Sequence, residues 1–209
     1  MKKRIFNLII IDESGSMDII KKAAIDSVNE TIQTIRAAQN EYPDQEHFVT
    51  LVTFNDKVKS VYECVPIAQV VELTDDSYRP DCLTALYDAM GMSLTALRNN
   101  VANNDAVLVT VVTDGCENAS REYNGKAIKA LVDELKAKGW VFAYIGANQD
   151  VEAVAATMSI TNVMNWEASS VGAAKMSRKL SESRARHFSR ISESGYSAVK
   201  ANSDFFDED

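Results

Sequence analysis

Two histidines, three cysteines, three prolines and eight glycines are all that the 209 residues contain of these types. Cys64, Cys82 and Cys116 are odd in number and nowhere form a C-x-x-C pair, which removes a disulfide framework and a structural zinc site and suits a reducing compartment. Nor is there an excess of basic charge: 22 Lys and Arg stand against 30 Asp and Glu, a net charge of −8, which argues against a nucleic-acid binder. The long apolar run of a membrane helix is also missing. Val107 to Val112 is the most apolar stretch, far short of the ~18 residues a span requires. Met-Lys-Lys-Arg and the run Ile5 to Ile11 imitate a secretory signal, but Asp12 and Glu13 close that run and no small-x-small cleavage site follows. We therefore expect a soluble, cytoplasmic protein.

What is present is a globular composition, 46% hydrophobic, enough for one sizeable core. Arg4 to Ile11, Phe48 to Phe54, Ala106 to Thr113 and Val141 to Gly146 are short, rich in Val, Ile and Phe, and nearly free of charge, the pattern of strands buried on both faces. Between them apolar residues recur near the helical period, at Ile20, Ala24, Val28, Ile32 and Ile35, at Leu83, Leu86, Met90, Leu94 and Leu97, and at Ile128, Leu131, Val132 and Leu135. Alternating strands and helices predict right-handed βαβ units. Val49 to Phe54, then Asn55-Asp56, then the alternating Lys57 to Glu63 predict a hairpin whose second strand is an antiparallel edge. A short helix near Asp150 to Thr157 and a last strand around Asn162 to Asn165 follow. The expected fold is a doubly wound, Rossmann-like α/β sheet of about six mostly parallel strands with one antiparallel edge and helices on both faces.

Residues 1–166 are expected to form this core. From Glu167 serine becomes frequent and basic residues accumulate, with Met176, Leu180, His187 and Ile191 at helical spacing, so 167–195 is expected to be an amphipathic helix packed on the same domain. Residues 196–209 are expected to be a frayed acidic tail. Charges from Glu167 onward cancel, which leaves the whole −8 on residues 1–166.

In an open α/β sheet, ligands bind beyond the carboxyl ends of the strands. There the first strand ends in Asp12-Glu13-Ser14-Gly15-Ser16, the strand 106–113 ends in Thr113-Asp114-Gly115, and between them runs Asp81-Cys82-Leu83-Thr84-Ala85-Leu86-Tyr87-Asp88. Two carboxylates and several hydroxyls are thus delivered to one end of the sheet. Taken alone, Asp12, Ser14 and Ser16 suit a helix N-cap, Thr84 a helix start, and Asp114-Gly115 a turn. The three segments together, in this order, resemble the von Willebrand factor type A domain family, and the resemblance extends over residues 1 to about 166.

The resemblance implies a metal-ion-dependent adhesion site, with Asp12, Ser14, Ser16, Thr84 and Asp114 around one divalent cation, Mg²⁺ with Mn²⁺ or Ca²⁺ as alternatives. Such a donor set is chemically apt, since hard cations take about six oxygens. Neutral hydroxyls leave the ion electrophilic toward an Asp or Glu of a partner protein, so metal-dependent protein binding is expected and turnover is not. Glu13 and Asp88 are candidates for the rim or for support behind the ligands. Cys116 is expected to stand by, Asn118 and Ser120 to cap the helix after that loop, Asp81 to be exposed, and His47 and His187 to lie away from the site. The size resembles compact cytosolic bacterial members of the family, some tied to ATPase-linked or stress-response assemblies.

The competing enzyme is a Mg²⁺-dependent phosphatase of the haloacid-dehalogenase type. Those enzymes carry D-x-D, and here Ser14 stands in place of the second acid, which removes the general acid. G-x-S-x-G, G-x-G-x-x-G and Walker patterns are all absent.

Overall fold

The computed structural model describes residues 2–147, 150–167, 169–193 and 196–207. Six strands, β1 (Lys3–Asp12), β2 (Gln45–Phe54), β3 (Val58–Pro66), β4 (Ala106–Thr113), β5 (Trp140–Ala147) and β6 (Asn162–Trp166), form one sheet in the order β3-β2-β1-β4-β5-β6. All neighbours run parallel except β2 and β3. Asn55 closes that hairpin, its side-chain Oδ1 accepting from Lys57 N at 3.0 Å. Register shifts near Leu51 interrupt the β2–β3 ladder, and Cys64 takes a left-handed φ of 49°. Such irregularity on an edge strand discourages further pairing.

Helices α1 (Lys21–Glu41), α2 (Leu86–Arg98), α3 (Gly125–Ala137), α4 (Val151–Thr157), α5 (Ser170–Ser192) and α6 (Ala198–Asp204) cover both faces. Strand alternation sorts the core. Ile5, Ile9 and Ile11 of β1 pack with Ile25, Val28, Ile32 and Ile35 of α1 and with Met176, Leu180 and Phe188 of α5. Phe6, Leu8 and Ile10 pack with Leu86, Met90 and Leu94 of α2 and with Ile128, Val132 and Leu135 of α3. All eight residues of β4 and all eight of β5 are buried, which is why these segments read as continuous apolar runs. Among the described residues, no helix is long and apolar enough to cross a membrane.

The expectation of a frayed tail over 196–209 is corrected through residue 207; Glu208 and Asp209 lie outside the described residues, as do Ser194 and Gly195 at the end of the expected helix 167–195. Residues 198–204 form α6, and Phe205 and Phe206 are buried in the α1/α5 side of the core. The acidic residues around them concealed this anchor. Asn202 supplies the rest. Its Nδ2 donates to Trp140 O at 2.7 Å and its Oδ1 accepts from Phe142 N at 3.1 Å. These are main-chain groups at the start of β5, before its pairing with β6 begins at Ala143, so one side chain completes the open edge.

Under α5 the core is polar. Arg184 is fully buried, and its Nη2 donates to Thr110 Oγ1 at 2.7 Å. Nε and Nη1 have no partner among the described residues. Burial lowers its pKa to about 9, so it remains a cation at neutral pH. His47 of β2 and His187 of α5 itself are buried in the same layer, away from the carboxyl ends of the strands; His47 meets Phe188 edge-on at 4.6 Å. Burial, and then the Arg184 charge, depress them to about 4 and about 3. Both are therefore neutral in the fold, and the unfolded chain binds more protons below the ordinary value of 6.5. Stability falls as pH drops from there toward the folded values.

Two outcomes are expected. Arg184→Met removes a buried cation that has a single hydrogen bond, so thermal melts at pH 7 should show no loss of stability and the decline between pH 6.5 and 4 should become shallower; a Tm drop beyond about 4 °C at pH 7 would contradict this. Asn202→Ala leaves two buried main-chain groups unpaired and should cost about 2–4 kcal/mol in urea unfolding.

Candidate metal centre

The strand order reverses between β1 and β4, so the connections leave these two neighbours in opposite directions and open a crevice at their carboxyl ends. Register pairs Ile11 with Val112, which sets Asp12 beside Thr113 and brings Asp114 just past the strand end. Thr113 Oγ1 donates to Asp12 Oδ2 at 2.5 Å, and Ser14 N donates to Asp12 Oδ1 at 2.7 Å. Ser16 Oγ donates to Asp114 Oδ1 at 2.6 Å and lies 3.3 Å from Ser14 Oγ. Thr84 closes the group from the other side. A methyl group at Gly115 would stand 3.1 Å from Thr84 Oγ1, 3.5 Å from Ser16 Oγ and 3.7 Å from Asp12 Oδ2. The five residues singled out in sequence thus converge from three loops. Asp12, Ser14, Thr84 and Asp114 are buried, and Ser16 is exposed at the mouth.

The electrostatics of this group are unfavourable without a cation. Burial raises the Asp12 pKa, with Thr113 and Ser14 opposing that rise and the Asp114 charge adding to it. Burial likewise raises Asp114, which only Ser16 and main-chain bonding offset. No basic side chain contributes to either. Two carboxylates and three hydroxyls, all oxygen and without a counter-charge, fit a hard divalent cation. Asp12 Oδ1, Asp12 Oδ2 and Asp114 Oδ1 can each accept more than the bond described here. Among the described residues there is no cluster of three or more His, Cys, Asp or Glu, so the donors are those of a hydroxyl-rich centre and not of a zinc site.

The remaining expectations are met unevenly. Glu13 is half-buried, and its Oε1 accepts from Arg79 N at 2.6 Å, so it ties down the segment before Thr84. Asp88 does not reach Thr84; its carboxylate accepts the N–H groups of Arg121, Glu122 and Tyr123 at 2.8–2.9 Å. Asp81 and Cys116 are exposed. Asn118 and Ser120 do not cap the following helix, because α3 starts later and Asn124 Oδ1 caps it through Ala127 N at 3.0 Å. Both serve α2 instead. Ser120 Oγ accepts from Asp88 N at 3.0 Å, and Asn118 Oδ1 accepts from Thr84 N at 2.9 Å.

Three supporting residues carry no local sequence signal for the roles they play. Tyr78, fully buried, donates its hydroxyl to the Asp12 carbonyl. Glu117 Oε2 accepts from Tyr87 N at 2.9 Å, capping α2 from an opposing loop where Ala85 at the N-cap position cannot. Asn118 also donates its own N–H to Thr84 O at 3.0 Å, so both main-chain groups of Thr84 are held by the loop that carries Asp114. Only Thr113 could have been anticipated, standing beside Asp114 at the end of a buried strand.

Without divalent ions, Asp12→Asn is expected to melt above wild type at pH 7. An acid with a raised folded pKa contributes its stability below the unfolded value and loses it as pH rises through the folded one. The gain should vanish as pH falls through the carboxylate range, and an unchanged difference across a pH series of melts would count against it.

The von Willebrand factor type A domain model matches residues 8–182. Similar solved structures include a von Willebrand factor type A protein from Catenulispora acidiphila (TM-score 0.60, 15% identity, 88% of this chain and 43% of that one). Another is the ArnB paralog VWA2 from Sulfolobus acidocaldarius (0.58, 16%, 87% and 45%). A third is the pilus adhesin SpaC from Lactobacillus rhamnosus GG in an open conformation (0.63, 13%, 89% and 30%). At these identities the likeness establishes the fold, and this chain spans less than half the length of each. No curated protein matches. With the family model covering most of the chain and the six-stranded sheet carrying the same architecture, the protein belongs to the von Willebrand factor type A domain family.

Proposed function

We propose that this domain is a divalent-metal-dependent protein-binding module in which Asp12, Ser14, Ser16, Thr84 and Asp114 hold a Mg²⁺-type ion that receives an Asp or Glu of a partner. The observation that carries this is the pair of buried carboxylates, ringed by hydroxyls and with no basic side chain acting on them. When bound, the ion supplies positive charge and an open oxygen-accepting position at the end of an acidic domain. The chain's own residues do the rest. Thr113 and the Ser14 main chain orient Asp12. Asn118 holds Thr84, and exposed Ser16 marks the side from which a partner approaches.

This fits the general role of the family as a metal-dependent interaction domain. A carboxylate arriving from outside restores the oxygen count that a hard ion prefers, and its charge-assisted contacts strengthen as water leaves. Nothing in the site calls for a nucleophile or a proton shuttle, and Ser14 stands where the phosphatase alternative requires a carboxylic acid.

Calorimetric titration of Mg²⁺ or Mn²⁺ is expected to give binding heat with wild type and none with Asp12→Ala, while Thr84→Ala weakens affinity about tenfold, the order expected for losing one oxygen ligand or its support. Saturating Mg²⁺ should raise the wild-type Tm at pH 7 and leave that of Asp12→Ala unchanged. Equal heats for wild type and Asp12→Ala would overturn the proposal.

A further inference from the structure

A cavity of about 330 Å³ opens immediately beside Thr84, lined by Asp56, Leu83, Asn118, Ala119, Ser120 and Arg121. Its position is fixed by the site already described. Leu83 precedes Thr84 in the chain, and Asn118 grips Thr84 through both main-chain groups. Whatever occupies the metal position from outside therefore has this cavity as its neighbour.

Two walls of the cavity offer contacts to a partner. Leu83 is 56% exposed, an apolar side chain left in water next to a proposed metal ligand. Arg121 is exposed too, yet its main chain is pinned, with N–H donating to Asp88 Oδ2 at 2.8 Å. Its guanidinium makes no ion pair or hydrogen bond among the described residues. Several other exposed basic residues of this domain are paired: Arg79 with Asp76, Arg98 with Glu134, Lys22 with Asp26. In a chain of net charge −8, an arginine without a carboxylate, held on a fixed backbone at the rim of a cavity, is a position set for an incoming acid. A guanidinium fork binds a carboxylate through two parallel hydrogen bonds.

The opposite wall limits how much acid can enter. Asp56 is exposed there, and it and Asp81 lie beside the Cys82 thiol, so that side of the rim is negative. A run of several acids would meet repulsion, whereas one acid directed to Arg121 would not.

We propose that the partner segment carries, within a few residues of the acid that reaches the metal position, a second acidic side chain that pairs with Arg121, and an apolar side chain that packs against Leu83. This rests on the metal-dependent reading above and specifies the partner of that same site. Arg121 and Leu83 then determine specificity, and the five oxygen donors determine metal affinity.

The test uses capped peptides Ala-Asp-Leu-Glu-Ala and Ala-Asp-Leu-Gln-Ala, together with versions in which the second acid is moved by one residue either way. Each is titrated with Mg²⁺ into the isotope-labelled protein and followed by amide NMR shifts. In wild type the Glu peptide is expected to bind about fivefold more tightly than the Gln peptide, as for a rim ion pair, and the advantage is expected to shrink at about 0.5 M salt. In Arg121→Gln the two peptides should bind alike, while the Mg²⁺ heat stays at the wild-type value. Equal affinity in wild type at every spacing, or a Glu advantage that survives Arg121→Gln, would overturn the proposal while leaving the metal site standing. Absence of Mg²⁺ heat in wild type would overturn both.

Discussion

Two like charges drawn together out of water are the constraint around which the rest of this molecule is arranged. Asp12 and Asp114 come from adjacent parallel strands at the place where the winding of the sheet reverses, and both are buried without a basic partner. Desolvation and mutual repulsion make that arrangement costly unless a cation offsets it. It persists because β1 and β4 are paired over seven residues through their most apolar stretches, which fixes both backbones whatever the carboxylates prefer. The sheet thus stabilises a site that would not assemble by itself.

The loops around the site are held by side chains acting on main-chain groups. Glu117 and Ser120 satisfy the first N–H groups of α2, and Asp88, near the start of α2, satisfies three N–H groups of the opposing loop. This reciprocal clasp ties the Thr84 loop to the loop of Asp114, so these two proposed ligands belong to segments that cannot move independently of each other. On the other side, the irregular stretch before Thr84 is fastened to α1 by Asn29, whose carboxamide both donates to Leu73 O and accepts from Leu73 N. Rigid support of this kind is what a binding site needs if affinity is not to be lost to ordering loops.

The face under α5 follows a different rule. A fully buried arginine with one hydrogen bond, beside two histidines kept neutral by burial and by that same arginine, contributes little to stability and makes it depend on pH. Near neutral pH these charges do not change; the consequence appears in acid through the histidines and above about pH 9 through Arg184 itself. Aromatic packing of His187 with Phe205 and Tyr196 joins this region to α6, so the end of the chain belongs to the core.

Much of the architecture is legible in the order of residues because burial on both faces leaves a simple trace. Val107 to Val112 admits little but a central strand, and the recurrence of Ile20, Ala24, Val28, Ile32 and Ile35 admits little but a helix with one face on the sheet. Asp12, Ser14, Ser16 and Asp114 are legible because they follow buried strands directly, whereas Thr84, in a loop before α2, enters the set only through the family resemblance of the three segments. Roles that depend on distant partners leave no such trace. Tyr78 reaches the Asp12 carbonyl from 66 positions away. Asn118 looks like a cap for α3 and instead secures Thr84. Asn202, Phe205 and Phe206 sit in a stretch whose acidity suggests solvent. Hydrophobic periodicity and short motifs are local properties, so the sequence alone determines the strands, the helices other than α6 and the chemical types at the carboxyl ends. Which groups face one another, and which are left without a counter-charge, follows from long-range register and loop packing, and only the tertiary structure decides it.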